Sequence, residues 1–393
     1  MDISEMRRRE DFDAILVETL AAVWSREAGQ PVSVVLGSAT DGGQAWRFLP
    51  RHSAFVHPAA GPAVRRFLAD SIRYTSRRWR RPVQFLGGTL LSTPAALKFA
   101  SQPGFVVSPG VARAEERIVL PGNQRIRLFD LGMRRSRVYR KAGFDGGLMT
   151  REIQLRASGP GPFPALTAHD DEMTWFEEEV IDGWCLARCP ARVDPSSAIE
   201  EVLKRLDQWT EAGAEEVDAC DYFQGHVERL KVGLTTLSTR FDHDVSPWER
   251  WLDVLLERAA VGRVAIGPTH GDCQDGNVML HRGGGGSMID WEHYARRWVH
   301  YDRMLFALKA RYQAGLPLRM KAFISGRALR WHPKVASDRA WREVGLARFL
   351  LEDCVFQVEE AATGPYKRVT EGLYDREEGL RSLGPDLADL WRA

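Results

Sequence analysis

Two carboxylates and one amide, set at fixed spacing, carry the chemistry of this sequence. The stretch Thr269-His270-Gly271-Asp272-Cys273-Gln274-Asp275-Gly276-Asn277-Val278 holds an H-x-D-x-x-x-x-N element. After a glycine run the chain continues Met288-Ile289-Asp290-Trp291-Glu292. Phosphoryl transfer needs this set of groups: one carboxylate beside the attacking hydroxyl, and an amide oxygen with a second carboxylate to hold the magnesium that neutralises the triphosphate. Asp272 and Asn277 have the separation of the catalytic Asp and the metal-binding Asn in the protein-kinase signature. Asp290 ends an expected hairpin, 277–280 with 287–289, whose turn at 281–286 contains four glycines. The bland alternative is a surface loop rich in Asp, Asn and Gly.

His270-Gly271-Asp272 with Asn277 and Asp290-Trp291 resembles the aminoglycoside phosphotransferase and choline kinase group of small-molecule kinases. That group shares the protein-kinase fold and usually carries H-G-D where protein kinases carry H-R-D. The resemblance implies an α+β, protein-kinase-like two-lobed fold, with a small β-rich lobe and a large helical lobe. It implies ATP (or GTP) as co-substrate, Mg²⁺ as cofactor and a small-molecule hydroxyl as acceptor. Sugars or glycans, aminoglycosides and amino alcohols are the candidate acceptors, with a lean towards the sugar-like. Asp272 would orient the hydroxyl and accept its proton, His270 would shape the loop, and Asn277 and Asp290 would bind Mg²⁺. Asp302 would buttress the catalytic loop. There are two departures: Gln274-Asp275-Gly276 stands where the group often has a proline or aromatic, and Glu292 replaces the glycine of D-F-G. The second argues against a protein-kinase style switch.

The elements that must position a nucleotide are expected upstream. Segments 117–120, 125–131 and 137–142 read as three short strands, with Pro121-Gly122-Asn123-Gln124 at the first turn. Gly122 and Asn123 at that tip would approach the phosphates, since a glycine lets backbone N–H groups come close. An ordinary hairpin turn is an equal reading. Val138-Tyr139-Arg140-Lys141 sits where V-A-I-K would sit, and Glu152 is the acid of the following helix, 148–155. Lys141 and Glu152 are therefore the expected phosphate-gripping pair. Strand alternation puts Lys141 on the face of Tyr139, so Arg140 remains the other candidate. A strand running into a hinge is expected at 170–183, with Glu178, Glu179 and Val180 beside the base.

The expected organisation is an α+β segment of unknown role at 1–112, a nucleotide lobe and hinge at 113–182, and a helical lobe at 183–393. In the first segment, 11–24 reads as an amphipathic helix, 32–36 and 45–49 as two strands joined by a turn, 63–75 as a helix, 83–86 and 89–91 as strands, and 94–100 as a helix. Arg65, Arg66, Arg73, Arg77, Arg78, Arg80 and Arg81 crowd its middle, interleaved with Phe67, Tyr74 and Trp79. They read either as a solvated face or as an anion patch serving the acceptor.

Composition bounds the partners. The chain has 393 residues, 44% apolar and 27% charged, with a net charge of +1. No global field favours nucleic acid or an anionic membrane. Five cysteines at no zinc-like spacing, with Cys185 and Cys189 nearest one another, suit a reducing compartment. No apolar run reaches membrane-span length, and the first residues lack a signal-peptide core, so a cytoplasmic protein is expected. The alternative to an enzyme is an inactive, kinase-like nucleotide-binding module whose N-terminal segment binds a partner.

Overall fold

The computed structural model describes residues 3–37, 42–73, 81–190, 193–312, 314–327, 330–364, 366–367, 369–384 and 387–392. The chain divides into two compact units: 1–198 with 279–289, and 199–278 with 290–393.

The first unit begins with helices α1 (Ile3–Arg9) and α2 (Phe12–Ala28). Strands β1 (Ser33–Gly37), β2 (Gln44–Leu49) and β3 (Ala54–Val56) follow, then helices α3 (Pro62–Arg73), α4 (Arg81–Leu91) and α5 (Pro94–Ala100). Next come β4 (Gln102–Ser108), β5 (Arg117–Pro121), β6 (Arg125–Asp130), β7 (Arg135–Arg140), α6 (Gly147–Ala157), β8 (Leu166–His169), β9 (Trp175–Glu179) and β10 (Gly183–Cys185). All but β10 form one nine-stranded sheet in the order β1-β4-β2-β3-β5-β6-β7-β9-β8. The portion β5-β6-β7-β9-β8, with α6 between β7 and β8, is the strand and helix order expected of a kinase small lobe.

Alternation sorts this sheet into two faces. Val119, Ile126, Leu128 and Tyr139 share one apolar cluster with Phe12, Leu16, Leu20 and Trp24 of α2. Trp24, Trp46 and Phe105 pack ring on ring there, with centroids 5.4 to 5.7 Å apart. On the other face Ile118 packs with Val64 and Leu68 of α3. Val138 and Phe176 pack with Met149 and Ile153 of α6.

Three expectations are corrected. The boundary between 112 and 113 does not separate compact units, because β3 pairs antiparallel with β5 and joins both segments in one sheet. β1 and β2 do not pair as a hairpin, since β4 lies between them and bonds to both. The expected strands at 83–86 and 89–91 are the single helix α4. It packs so closely on α3 that a Cβ on Gly88 would press on the Ala69 carbonyl and the Arg73 backbone. Of the arginine cluster, Arg77, Arg78 and Arg80 lie outside the described residues, with Tyr74 and Trp79, as does the side chain of Arg81. Arg65 binds the backbone carbonyls of Ser92 and Ala60, and Arg73 binds Asp70.

Helix α7 (Ser196–Ala212) crosses from the first unit into the second. The second unit then holds β11 (Glu215–Asp218), α8 (Ala219–Phe241), α9 (Ser246–Ala259) and β12 (Arg263–Thr269). Strands β13 (Val278–His281) and β14 (Gly286–Met288) form the expected hairpin, in a small sheet with β10. The chain continues through β15 (Ala295–Trp298), α10 (Tyr301–Ala307), α11 (Leu316–Ile324), α12 (Arg339–Thr363), α13 (Glu371–Arg381) and α14 (Ala388–Trp391). Strand β12, paired with β11 and β15, delivers its last residue, Thr269, directly into the catalytic-loop sequence. Long helices α8, α9 and α12 pack around one another through residues such as Phe223, Trp248, Leu252 and Phe349, all of which are buried. Among the described residues no helix is long and apolar enough to cross a membrane.

Candidate active site

The catalytic loop is held by its backbone. Asp302, in the first turn of α10, accepts the N–H groups of His270 at 2.6 Å and Gly271 at 2.9 Å. The expected buttress is therefore present, and Asp302 does it from inside the helix rather than as its N-cap, which is His300. His270 is fully buried; its Nδ1 accepts the Asp272 N–H at 3.1 Å, and its ring meets Trp291 edge-on at 4.6 Å. His270 thus shapes the loop and binds it to the residue after Asp290. Gly271 adopts φ +84°, and a Cβ there would collide with the His293 carbonyl and the Arg297 guanidinium. The H-G-D glycine is required by that close approach as well as by the left-handed backbone.

Asp272 carries four engagements besides its N–H bond to His270. Its Oδ1 accepts from Arg311 Nε at 2.7 Å, and its Oδ2 accepts from Gln274 Nε2 and Asn277 Nδ2, both at 2.7 Å. Its own carbonyl accepts the Asn277 amide at 2.9 Å. The Asn277 nitrogen faces Asp272, so its Oδ1 is not committed to that residue. Arg311 also donates to the Gly271 carbonyl at 2.9 Å and to Asp353 Oδ1 at 2.7 Å, and it lies over the Phe356 ring at 4.7 Å. Asp353 continues the chain of charges to Arg376 and accepts from Tyr301. Burial pushes the Asp272 carboxyl upward; the charge and hydrogen bond of Arg311, with the neighbouring His293 and His270, together outweigh it and hold the group at about 2. The Asp272 side chain keeps 16% exposure. His293, buried beside it, is pushed down to about 4 by that burial and is neutral at pH 7.

Asp290 sits at φ 61°, ψ 64°, a left-handed conformation immediately before Trp291. Its carboxylate and the Asn277 amide oxygen are hard oxygen donors of the kind magnesium takes from a protein, one or two groups with the rest supplied by phosphate and water. Among the described residues no cluster of three or more His, Cys, Asp or Glu offers a self-sufficient metal cage.

The expected Lys141–Glu152 pair is not formed. Lys141 lies on the α2 face, as alternation with Tyr139 requires, and is 1% exposed. Its Nζ donates to Glu10 at 2.6 Å and to the Asn123 carbonyl at 2.9 Å, between the Phe12 and Phe144 rings. It ties the N-terminal helices to the hairpin tip. Glu152, on the opposite face, is bound by Arg125 and by Arg156 at 2.9 Å. Burial opposes its ionisation, and those two cations lower its pKa nonetheless. Arg156 and Arg127 also hold Glu178, each at 2.6 Å, so a buried chain of ion pairs lines this face. Arg140 shares the face of Val138 and pairs in register with Arg125, with its guanidinium against Gly146. The other sequence candidate thus occupies the side where the pair was expected.

The hairpin tip closes on itself. Gly122 donates its N–H to the Arg125 carbonyl at 2.8 Å, and the Asn123 side chain accepts from Arg9 at 3.2 Å. The Gly122 amide is therefore engaged within the turn. At the hinge the Val180 N–H is bound to the Arg134 carbonyl at 2.9 Å, while Glu179 is exposed. Glu178, Glu179 and Val180 do line a cavity of about 460 Å³ within the first unit. Arg311, Gln274 and Asp353 escaped the sequence reading. Gln274 was visible only as a departure from the motif. Arg311 lies outside any motif, and only the fold brings it to Asp272.

Residues 183–340 match the model of the phosphotransferase enzyme family. No match was found among curated protein sequences. Solved structures similar to the chain include an ethanolamine kinase from Plasmodium vivax, 13% identical over 70% of this chain and 82% of that one, with a TM-score of 0.45. A thermostable mutant of aminoglycoside phosphotransferase APH(4)-Ia is 16% identical over 68% and 94%, with a TM-score of 0.46. The choline kinase LicA from Streptococcus pneumoniae is 13% identical over 67% and 94%, with a TM-score of 0.43. The matched segment carries His270, Asp272, Asn277 and Asp290, in agreement with the resemblance of their motif.

Proposed function

We propose that this protein transfers the γ-phosphoryl group of ATP or GTP to a hydroxyl of a small molecule, sugar-like or aminoglycoside-like. The observation that carries the reading is the Asp272–Asn277 pair, fixed by Asp302, His270 and Arg311 at the end of β12. Asp272 orients the acceptor hydroxyl through an oxygen that is ionised at every physiological pH. A carboxylate held at about 2 is a weak base, so it takes the proton late, as a loose transition state allows. Asn277 and Asp290 would hold Mg²⁺, which neutralises phosphate charge when bound. Arg140 is the cation proposed for the phosphates in place of Lys141. Positioning and charge supply most of the acceleration.

The test is nucleotide consumption across a panel of hydroxylated acceptors, with Asp272→Asn beside the native chain. The substitution should lower kcat by a factor of at least about 10² while leaving nucleotide affinity unchanged. Full turnover in Asp272→Asn would overturn the assignment, and nucleotide binding without turnover on any acceptor would favour the inactive module.

A further inference from the structure

The cavity at the hinge is walled by more than the nucleotide lobe. Leu120 and Phe129 of the sheet, Val180 of the hinge and Met279 and Ile289 of the hairpin supply apolar sides. The N-terminal segment supplies another, through His52, Arg66, Phe67 and Ser71. All of these residues belong to the first unit. Helix α3 is fastened there. Arg282, in the turn between β13 and β14, donates to Asp70 of α3 at 3.1 Å and to Asp182 at 2.8 Å, and stacks on Trp184 at 4.4 Å.

Two groups on this wall point to a ligand. His52 Nε2 lies 3.0 Å from the Leu68 carbonyl, an acceptor only, so Nε2 carries the ring hydrogen. His52 Nδ1 is then a bare lone pair, buried and with no hydrogen-bond partner among the described residues. Burial lowers the pKa of this histidine, so the neutral form persists and the lone pair stays open. A buried acceptor of this kind is costly unless a donor reaches it. Arg66 is exposed on the same wall and makes no ion pair among the described residues. The cavity therefore offers apolar flat sides, one unpartnered buried acceptor and positive charge, from Arg66 and also from Arg134 and Arg188, which line it, are exposed and make no ion pair among the described residues.

We infer that His52 and α3 of the N-terminal segment form a wall of the nucleotide site, with His52 Nδ1 accepting a hydrogen bond from the nucleoside and Arg66 meeting the negative charge of the phosphates. The inference rests on the proposed nucleotide-dependent function. It gives the N-terminal segment a direct part in holding the co-substrate, in place of the partner-adaptor role.

The experiment is calorimetric titration of the full chain with ATP and no acceptor, so that the identity of the acceptor does not enter. The native chain is compared with His52→Ala, Arg66→Ala, Arg66→Lys and, as a control on the exposed side of α6, Arg151→Ala. His52→Ala and Arg66→Ala should each weaken binding about tenfold. Arg66→Lys should recover part of the loss, Arg66→Ala should flatten the salt dependence, and Arg151→Ala should change nothing. Arg66 is exposed, so its replacement keeps the fold, and thermal melting checks His52→Ala. If the native chain binds ATP and both alanine variants bind as well or better, the wall inference fails and the kinase reading stands. If the native chain binds neither ATP nor GTP, both fail together.

Discussion

At the scale of the residue, Arg311 decides how Asp272 behaves. The two are 2.7 Å apart, and the same guanidinium holds the Gly271 carbonyl and Asp353. The folded pKa of Asp272 is depressed to about 2, below the ordinary value near 4. The stability this pair contributes is present above the unfolded value and is lost only as pH falls through about 2. Native kcat should therefore show no acid limb from Asp272 wherever the protein stays folded. Arg311→Gln removes the opposing charge and leaves burial, which raises the carboxyl. Its kcat should fall about 10²-fold, with an acid limb entering above pH 4. Arg311→Lys should keep the flat profile while losing part of kcat, because one ammonium cannot hold three oxygens in the geometry of a planar fork. The same flat profile in Arg311→Gln would show that Arg311 only packs the loop.

At the scale of the element, the catalytic loop is a connection between β12 and β13 that α10 supports through one carboxylate. Two backbone N–H groups fill the Asp302 carboxylate. Burial raises its pKa, and those two donors restrain the rise. Asp302→Ala leaves both donors buried without a partner, at about 1–3 kcal/mol each. The variant should melt several degrees lower and lose most of its kcat, while ATP titration of the first unit's cavity stays unchanged. Loss of nucleotide affinity in step with kcat would instead mean general unfolding. The loop and its hairpin were legible in the sequence because their signals are local: motif spacing, glycines and short apolar strands. The three strands before α6 were legible for the same reason. Lys141 and Glu152 were misjudged because partner choice across a sheet depends on which face each side chain takes. Alternation assigned Lys141 to the face of Tyr139, and the helices that cover that face come from the first residues of the chain. Helix α4 was misread because the contact that selects it, Gly88 against α3, is tertiary.

At the scale of the molecule, the second unit buries ionisable groups with opposite pH senses. Glu352 of α12 is fully enclosed, accepting from the Tyr222 hydroxyl and the Trp298 N–H on one oxygen. Its other oxygen has no partner among the described residues, and burial pushes the carboxyl up to about 7. The fold therefore favours the protonated form. Between the unfolded value near 4.3 and the folded value near 7, the folded state binds more protons, so stability declines as pH rises. That decline amounts to about 3 kcal/mol by pH 7, at 1.36 kcal/mol per unit. His226, His293 and His300, each lowered to about 4 chiefly by burial, act in the other direction: their stability is lost as pH falls through 6.5 towards 4. The native pH–stability curve mixes the two, and Glu352→Gln separates them. Gln keeps an acceptor for Tyr222 and Trp298 and cannot ionise. The variant should match the native chain near pH 5 and exceed it in melting temperature at pH 8, by a few degrees for a domain of this size. A stability difference between Glu352→Gln and the native chain that stays constant from pH 5 to 8 would mean that Glu352 is ionised throughout, and that its second oxygen is paired in solution.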